Sequence, residues 1–271
     1  MPLTPLPSRL LPWPQRPIPP FLWQLPDSAA AINPRVLETL SLAAATWFFI
    51  PRNVPQSGLS DFARALEPLA DAARIVIAID AAQLQPRRSR IIQDRLAPLS
   101  RSCCEAIYLQ DISPSDVKAG SPFHRLSQLR DQGITSLFFI DAPDHATAEW
   151  MLDHSPAHAV CIPFGLADQT AKYRLFEDAA GFGTGLIARP PHRLIWQPDS
   201  PIDLFSDITF ILADPAIAAL LLPLPSILAE LQLLLDAATH PMPDSDRQQW
   251  WNCFSQQVPP PAPLPRSTPP E

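Results

Sequence analysis

Residues 74–79 read RIVIAI and residues 106–109 read AIYL, with a helical pattern at 89–100 between them. Neither apolar run shows the polar alternation of a strand with one wet face, so each suits a strand buried on both sides. A strand, a helix and a second such strand form a right-handed crossover unit, and that makes the two strands parallel. The unit recurs in both directions. Upstream lie Phe21–Leu25 (FLWQL) and Trp47–Ile50 (WFFI); downstream lie Ser136–Ile140 (SLFFI), Ala159–Ile162 (AVCI), Gly185–Ala188 (GLIA) and Ala218–Leu222 (AALLL). Helical patterns occupy the gaps at 34–45, 60–72, 123–132, 146–153 and 169–180, and another follows at 226–238, where Leu228, Leu231, Leu234 and Leu235 share one face. Eight strands at this period fit an α/β fold of the closed (β/α)8 TIM-barrel type, with parallel strands in a single domain. An open doubly wound sheet is the competitor. No GxGxxG follows the first strand, and GFGTG at 181–185 precedes a strand, as a helix C-cap and turn would.

Composition bounds the rest. The chain has 271 residues, 46% hydrophobic, with a net charge of −7 from 20 basic and 27 acidic residues. That balance argues against a nucleic-acid or anionic-membrane surface as the main business. The 36 prolines crowd the ends, dividing the chain into a proline-rich N-terminal segment (1–19), a barrel (20–257) and a proline-rich tail (258–271). Both ends are expected to be extended or disordered. Cys103, Cys104, Cys161 and Cys253 form no CxxC and read as buried thiols of a reducing compartment. With no signal-peptide pattern and no apolar run of spanning length, the expected location is cytoplasmic. His154 and His158 flank Pro156 and read as loop histidines, so no metal site is expected. Arg87, Arg88 and Arg90 read as an exposed helix face, and Trp250 and Trp251 as the packing face of a terminal helix.

Over about residues 20–240 the order and spacing of local stretches resemble the aldo/keto reductase family. LRDQGITSLFFIDAPDHATAEWML (129–152) is similar to the family's helix–turn–strand before its "GVSN" loop. AHAVCIPFGLADQTAKYRLFEDAAGFGTGLIARPP (157–191) resembles "VDVVQVPYNLLDRR…LCREHGIGVIARSPL". ITFILADPAIAALLLPLPSILAELQLLLDAA (208–238) resembles "FVLADPRVTSVIPGTSSPEHLEENLAAA", and FFIPRNVPQSGLSDFARAL (48–66) sits where "FDTAPSYGNGLSEELLGRAL" would be. The resemblance implies a barrel that binds NADP(H) and reduces a carbonyl. In that chemistry a tyrosine acidified by a lysine–aspartate pair donates the proton and a histidine orients the substrate.

None of those four groups carries over. The aspartate position falls on Phe49, the tyrosine on Val54, the lysine on Asp80 and the histidine on Gln110, although Glu105, Asp111, Ser113 and Pro114 agree with the family near the last of these. The chain has only Tyr108 and Tyr173, neither near position 54, and only Lys118 and Lys172, both far in sequence from position 80. Cofactor positions change as well. The "SN" pair becomes Ile140 and Asp141, the glutamine Cys161, the asparagine Gly165 after a retained aromatic, Phe164, and the adenine-side asparagine Leu234. PLPSILAEL replaces the glycine and hydroxyl residues of the last phosphate loop, leaving Ser226 as a helix N-cap.

No catalytic residue is therefore expected, and no cofactor, with NADP(H) the one implied if its site survives. In a barrel, strand C-termini line one mouth, so Asp80, Gln110, Asp111, Asp141, Phe164 and Arg189 are the candidate ligand-pocket residues. A salt bridge from Arg189 and a solvated rim is the plainer use of these charges. The functional expectation is a catalytically inactive barrel, acting as scaffold, regulatory subunit or ligand sensor, with a protein partner or small-molecule ligand. The alternative is an NAD(P)-dependent oxidoreductase acting on a carbonyl substrate.

Overall fold

The computed structural model describes residues 6–12, 15–69, 72–84, 90–112, 116, 121–190 and 203–258. Eight parallel strands close into one barrel in the order β10-β3-β4-β5-β6-β7-β8-β9. They are β3 (Phe21–Gln24), β4 (Trp47–Ile50), β5 (Arg74–Asp80), β6 (Cys104–Gln110), β7 (Thr135–Asp141), β8 (Ala159–Pro163), β9 (Gly185–Arg189) and β10 (Ile217–Pro223). Each contains or overlaps a run read from the sequence.

The continuous apolar runs have a simple cause. Successive residues of a strand point to opposite faces, and here both faces are dry. Leu22, Phe49, Val76, Ala78, Ala106, Tyr108, Leu137, Phe139, Ala159, Cys161, Ile187 and Ala219 fill the barrel interior. Their neighbours Phe48, Ile75, Ile77, Ile79, Ile107, Phe138 and Ile140 face the surrounding helices. Small interior residues sit against large ones, so Phe49, Tyr108 and Phe139 occupy the space that Ala78, Ala106 and Ala159 leave.

The helices follow from local signals. They are α1 (Pro34–Leu42), α2 (Gln56–Leu66), α3 (Ile91–Leu96), α4 (Ser121–Asp131), α5 (His145–His154), α6 (Leu175–Phe182), α7 (Leu204–Ala213), α8 (Leu228–Thr239) and α9 (Asp244–Gln257). Asn33 and Asp144 cap α1 and α5 by accepting from Arg35 N and Thr147 N, and α6 ends on Gly183 at φ 68°, as GFGTG suggests. The helix α7 lies in no helical pattern read from the sequence. Its start is set by Asp203, which accepts from Ser206 N at 2.8 Å.

Four expectations change. Part of the N-terminal proline-rich segment is ordered: β1 (Arg9–Leu10) and β2 (Pro17–Ile18) pair antiparallel, and Leu11 and Ile18 are fully buried in the barrel interior. Proline tolerates such a short edge ladder. Gly185 makes room for this plug, since a Cβ there would lie 2.7 Å from Leu11 Cδ2. Ser226 does not cap α8; Ile227 holds that position without a side-chain cap, and the Ser226 carbonyl accepts from Asn33 Nδ2 at 3.1 Å. Cys103 and Cys253 are exposed, while Cys104 and Cys161 are buried. His158 does lie in the loop between α5 and β8, but buried: it accepts from Phe138 N at 3.1 Å, and burial holds its pKa down at about 4. His154 closes α5 and stacks on Trp150.

Trp250 and Trp251 lie on α9, where Trp251 packs on Tyr173 and Trp250 stays 36% exposed. Arg90 is exposed at the start of α3, whereas Arg87, Arg88, Ser113, Pro114, Lys118 and the tail after Val258 lie outside the described residues. No helix among the described residues is long and apolar enough to cross a membrane.

Candidate functional site at the barrel mouth

Strands β5, β6, β7 and β9 each end on a half-buried polar residue: Asp80, Gln110, Asp141 and Arg189. Asp80 and Gln110 are register partners. Two clusters form from these ends. On one side Arg52, in the turn after β4, bonds both Asp80 and Asp111. Asp111 takes a left-handed backbone (φ 51°), which an aspartate tolerates. On the other side one carboxylate oxygen of Asp141 accepts from Tyr108 Oη at 2.8 Å and from Arg189 at 2.7 Å. The carboxylates of Asp80 and Asp111 thus meet through a cation, and Asp141 is tied separately to Arg189.

Beneath these groups the floor is apolar and aromatic. Phe49 meets Tyr108 edge-on at 4.9 Å, and Cys161 lies against the Tyr108 hydroxyl. Burial pushes the Tyr108 phenol well above its usual range, and the neighbouring Cys161 and Asp141 push it further. Burial likewise lifts the Cys161 thiol to about 12. Both groups keep their protons at neutral pH, leaving Asp141 and Arg189 as the charges of this side. Replacing Tyr108 with Phe removes one hydrogen bond while Asp141 keeps Arg189, so a loss of about 1–2 kcal/mol in urea unfolding is expected. An unchanged midpoint would mean that the Tyr108–Asp141 bond contributes nothing.

Val54 is 4% exposed, and its turn is held from outside by Arg95 of α3, which donates to the carbonyls of Pro51 (2.8 Å), Arg52 (3.0 Å) and Val54. Sequence reasoning missed Arg52 and Arg95, because neither sits at a strand end or in a motif. It also missed the place of Tyr108, although the inward alternation Ala106–Tyr108–Gln110 carries that signal. Phe164 does not belong to the mouth. It packs between Phe176 and Phe210 on the helix side, since the chain turns outward after β8.

On the side where the resemblance implies cofactor contacts, Ile140 faces the helices and Leu234, on the inner face of α8, is buried at 2% exposure. Gly165 backs onto Asp207 of α7, and a Cβ there would lie 2.7 Å from Oδ1. That oxygen accepts from Leu166 N at 2.6 Å, while Oδ2 is buried and meets no hydrogen-bond donor. Among the described residues no group of three or more His, Cys, Asp or Glu could hold a metal ion.

No protein-family model and no curated protein matches this sequence. Solved structures do match the fold. An aldo-keto reductase of Bacillus halodurans in its holo form superposes with a TM-score of 0.74 at 11% identity, over 91% of this chain and 96% of that one. A thermostable aldo-keto reductase in complex with the inhibitor epalrestat gives 0.75 at 13%, over 90% and 98%. A Klebsiella pneumoniae aldo-keto reductase in complex with NADPH gives 0.70 at 12%, over 96% and 99%. With eight parallel strands closed into a barrel and these superpositions covering nine-tenths of its length or more, the chain has the fold of the aldo-keto reductases.

Proposed function

We propose that this is an aldo-keto reductase-like barrel that does not reduce carbonyls and serves as a regulatory or scaffold subunit for a protein partner. One observation supports the reading: the positions that the resemblance assigns to the tyrosine proton donor and its partner aspartate hold Val54 and Phe49, apolar and only 4% and 3% exposed. Tyr108 does not replace that donor. A general acid works best with a pKa near the operating pH, and burial moves this phenol the other way.

The residues present do not fit a nicotinamide cofactor. Asp141, at one carboxamide position, is already bound to Tyr108 and Arg189; Cys161, at the other, is enclosed in the barrel interior. Gly165 offers no side chain, and the space beside it belongs to Asp207. The polar pair Asp141–Arg189 at the mouth supports a second reading, a sensor for a small ligand that exchanges with this ion pair.

Titration of the purified protein with NADPH and NADH, followed by tryptophan fluorescence or calorimetry, tests the proposal. No binding is expected at millimolar cofactor. Binding in the micromolar range would overturn it and favour an NAD(P)-dependent oxidoreductase acting on a carbonyl substrate.

A further inference from the structure

Away from the mouth, an open groove of about 440 Å³ separates α9 from the barrel wall, lined by Lys172, Phe176, Asp214, Arg247 and Trp251 among others. Lys172 follows β8 in a short 3-10 turn, Thr170–Tyr173, and its side chain is only 13% exposed. The amine sits 4.4 Å from the centre of the Phe210 ring and 5.7 Å from that of Trp251. Asp214 is 3.9 Å from it, and Arg247 lies 3.6 Å from the same carboxylate. Both separations exceed a hydrogen bond, so neither cation closes on Asp214; Arg247 is anchored by Asp244 at 2.7 Å and by the Ala213 carbonyl at 3.0 Å. Arg9, from β1, donates to the Asp214 backbone carbonyl and adds a third positive group nearby.

The geometry points to Lys172 as a capture site for a planar aromatic aldehyde bearing an anionic group, held as an imine. The neutral amine attacks the carbonyl carbon and forms a C–N bond. The adduct then loses water, leaving C=N, so no oxidant or reductant is consumed and the step reverses by hydrolysis. Asp214 is the carboxylate placed to carry the proton that leaves with the hydroxyl. The protonated imine is still a cation, so the contact with the Phe210 ring survives. Phe176 and Trp251 offer flat walls to the aldehyde ring, and Arg247 offers its charge to the anion. Burial lowers the Lys172 pKa to about 8, opposed by Asp214 and aided by Arg247. At pH 8 that leaves roughly a hundredfold more neutral amine than an ordinary lysine has.

The chain has only one other lysine, Lys118, which makes the test direct. The full-length protein is treated with pyridoxal 5′-phosphate at a series of pH values, reduced with borohydride and mapped by peptide mass. Label on Lys172 at least tenfold above that on Lys118 and the N-terminal amine is expected, with a midpoint near pH 8. Lys172→Arg keeps the charge beside Asp214 and should lose the label with its circular dichroism unchanged. Equal label on the three amines would overturn the site, as would a pH midpoint that matches an ordinary lysine. Pyridoxal without its phosphate should label several-fold less; equal labelling would overturn the anion's part. These outcomes do not depend on the barrel mouth or on NADPH.

Discussion

Phe49→Ala should lower the unfolding free energy by about 3–5 kcal/mol, the range for removing an enclosed phenylalanine. The ring points into the barrel, meets Tyr108 edge-on at 4.9 Å and is 3% exposed. Neighbouring strands cannot collapse into the gap, because the parallel ladder holds β4 to β3 and β5 in fixed register. A cavity would remain beneath Asp80 and Asp141. Urea unfolding of the two proteins side by side measures the cost. A loss below about 1 kcal/mol would mean that the floor is not packed on Phe49.

Asp207→Asn should change how stability depends on pH. Asp207 is fully buried on α7, and burial raises its pKa from 3.8 to about 7, against the Leu166 N–H bond that favours the charged form. For an acid raised on folding, the native state disfavours ionisation. Stability is full below pH 3.8, falls as pH rises toward 7 and is flat above it. The asparagine variant lacks that slope while keeping an acceptor for Leu166 N. Its stability relative to the parent should thus grow by about 3 kcal/mol between pH 5 and pH 8. Parallel urea curves at the two pH values would show it; an equal difference at both would mean that Asp207 titrates as an exposed acid. Gly165→Ala offers a companion expectation at the same spot, since its new methyl would meet the Asp207 carboxylate.

Much of this protein is legible in its residues, because a strand buried on both faces has to be apolar along its whole length. The runs at 47–50, 74–79, 106–109 and 136–140 fit that description, and repeating them with helices between implies a parallel sheet, which the structure closes into a barrel. The sequence also shows that no tyrosine or lysine lies near positions 49, 54 or 80, where the resemblance would put the acid–base set. Proline-rich composition, by contrast, misled for residues 9–18. A two-residue ladder needs little propensity, and what holds it is the interior that Leu11 and Ile18 enter.

The tertiary structure decided which charges meet. Arg52 is 28 residues from Asp80 and 59 from Asp111, and Tyr108 is 33 from Asp141. Phe164 went to the helix side, and Lys172 met Asp214 and Trp251 across elements whose order implies no contact. Periodicity reports which face of its own element a side chain takes. It carries no information about what stands opposite, and ion pairs, pKa shifts and grooves are properties of that second surface.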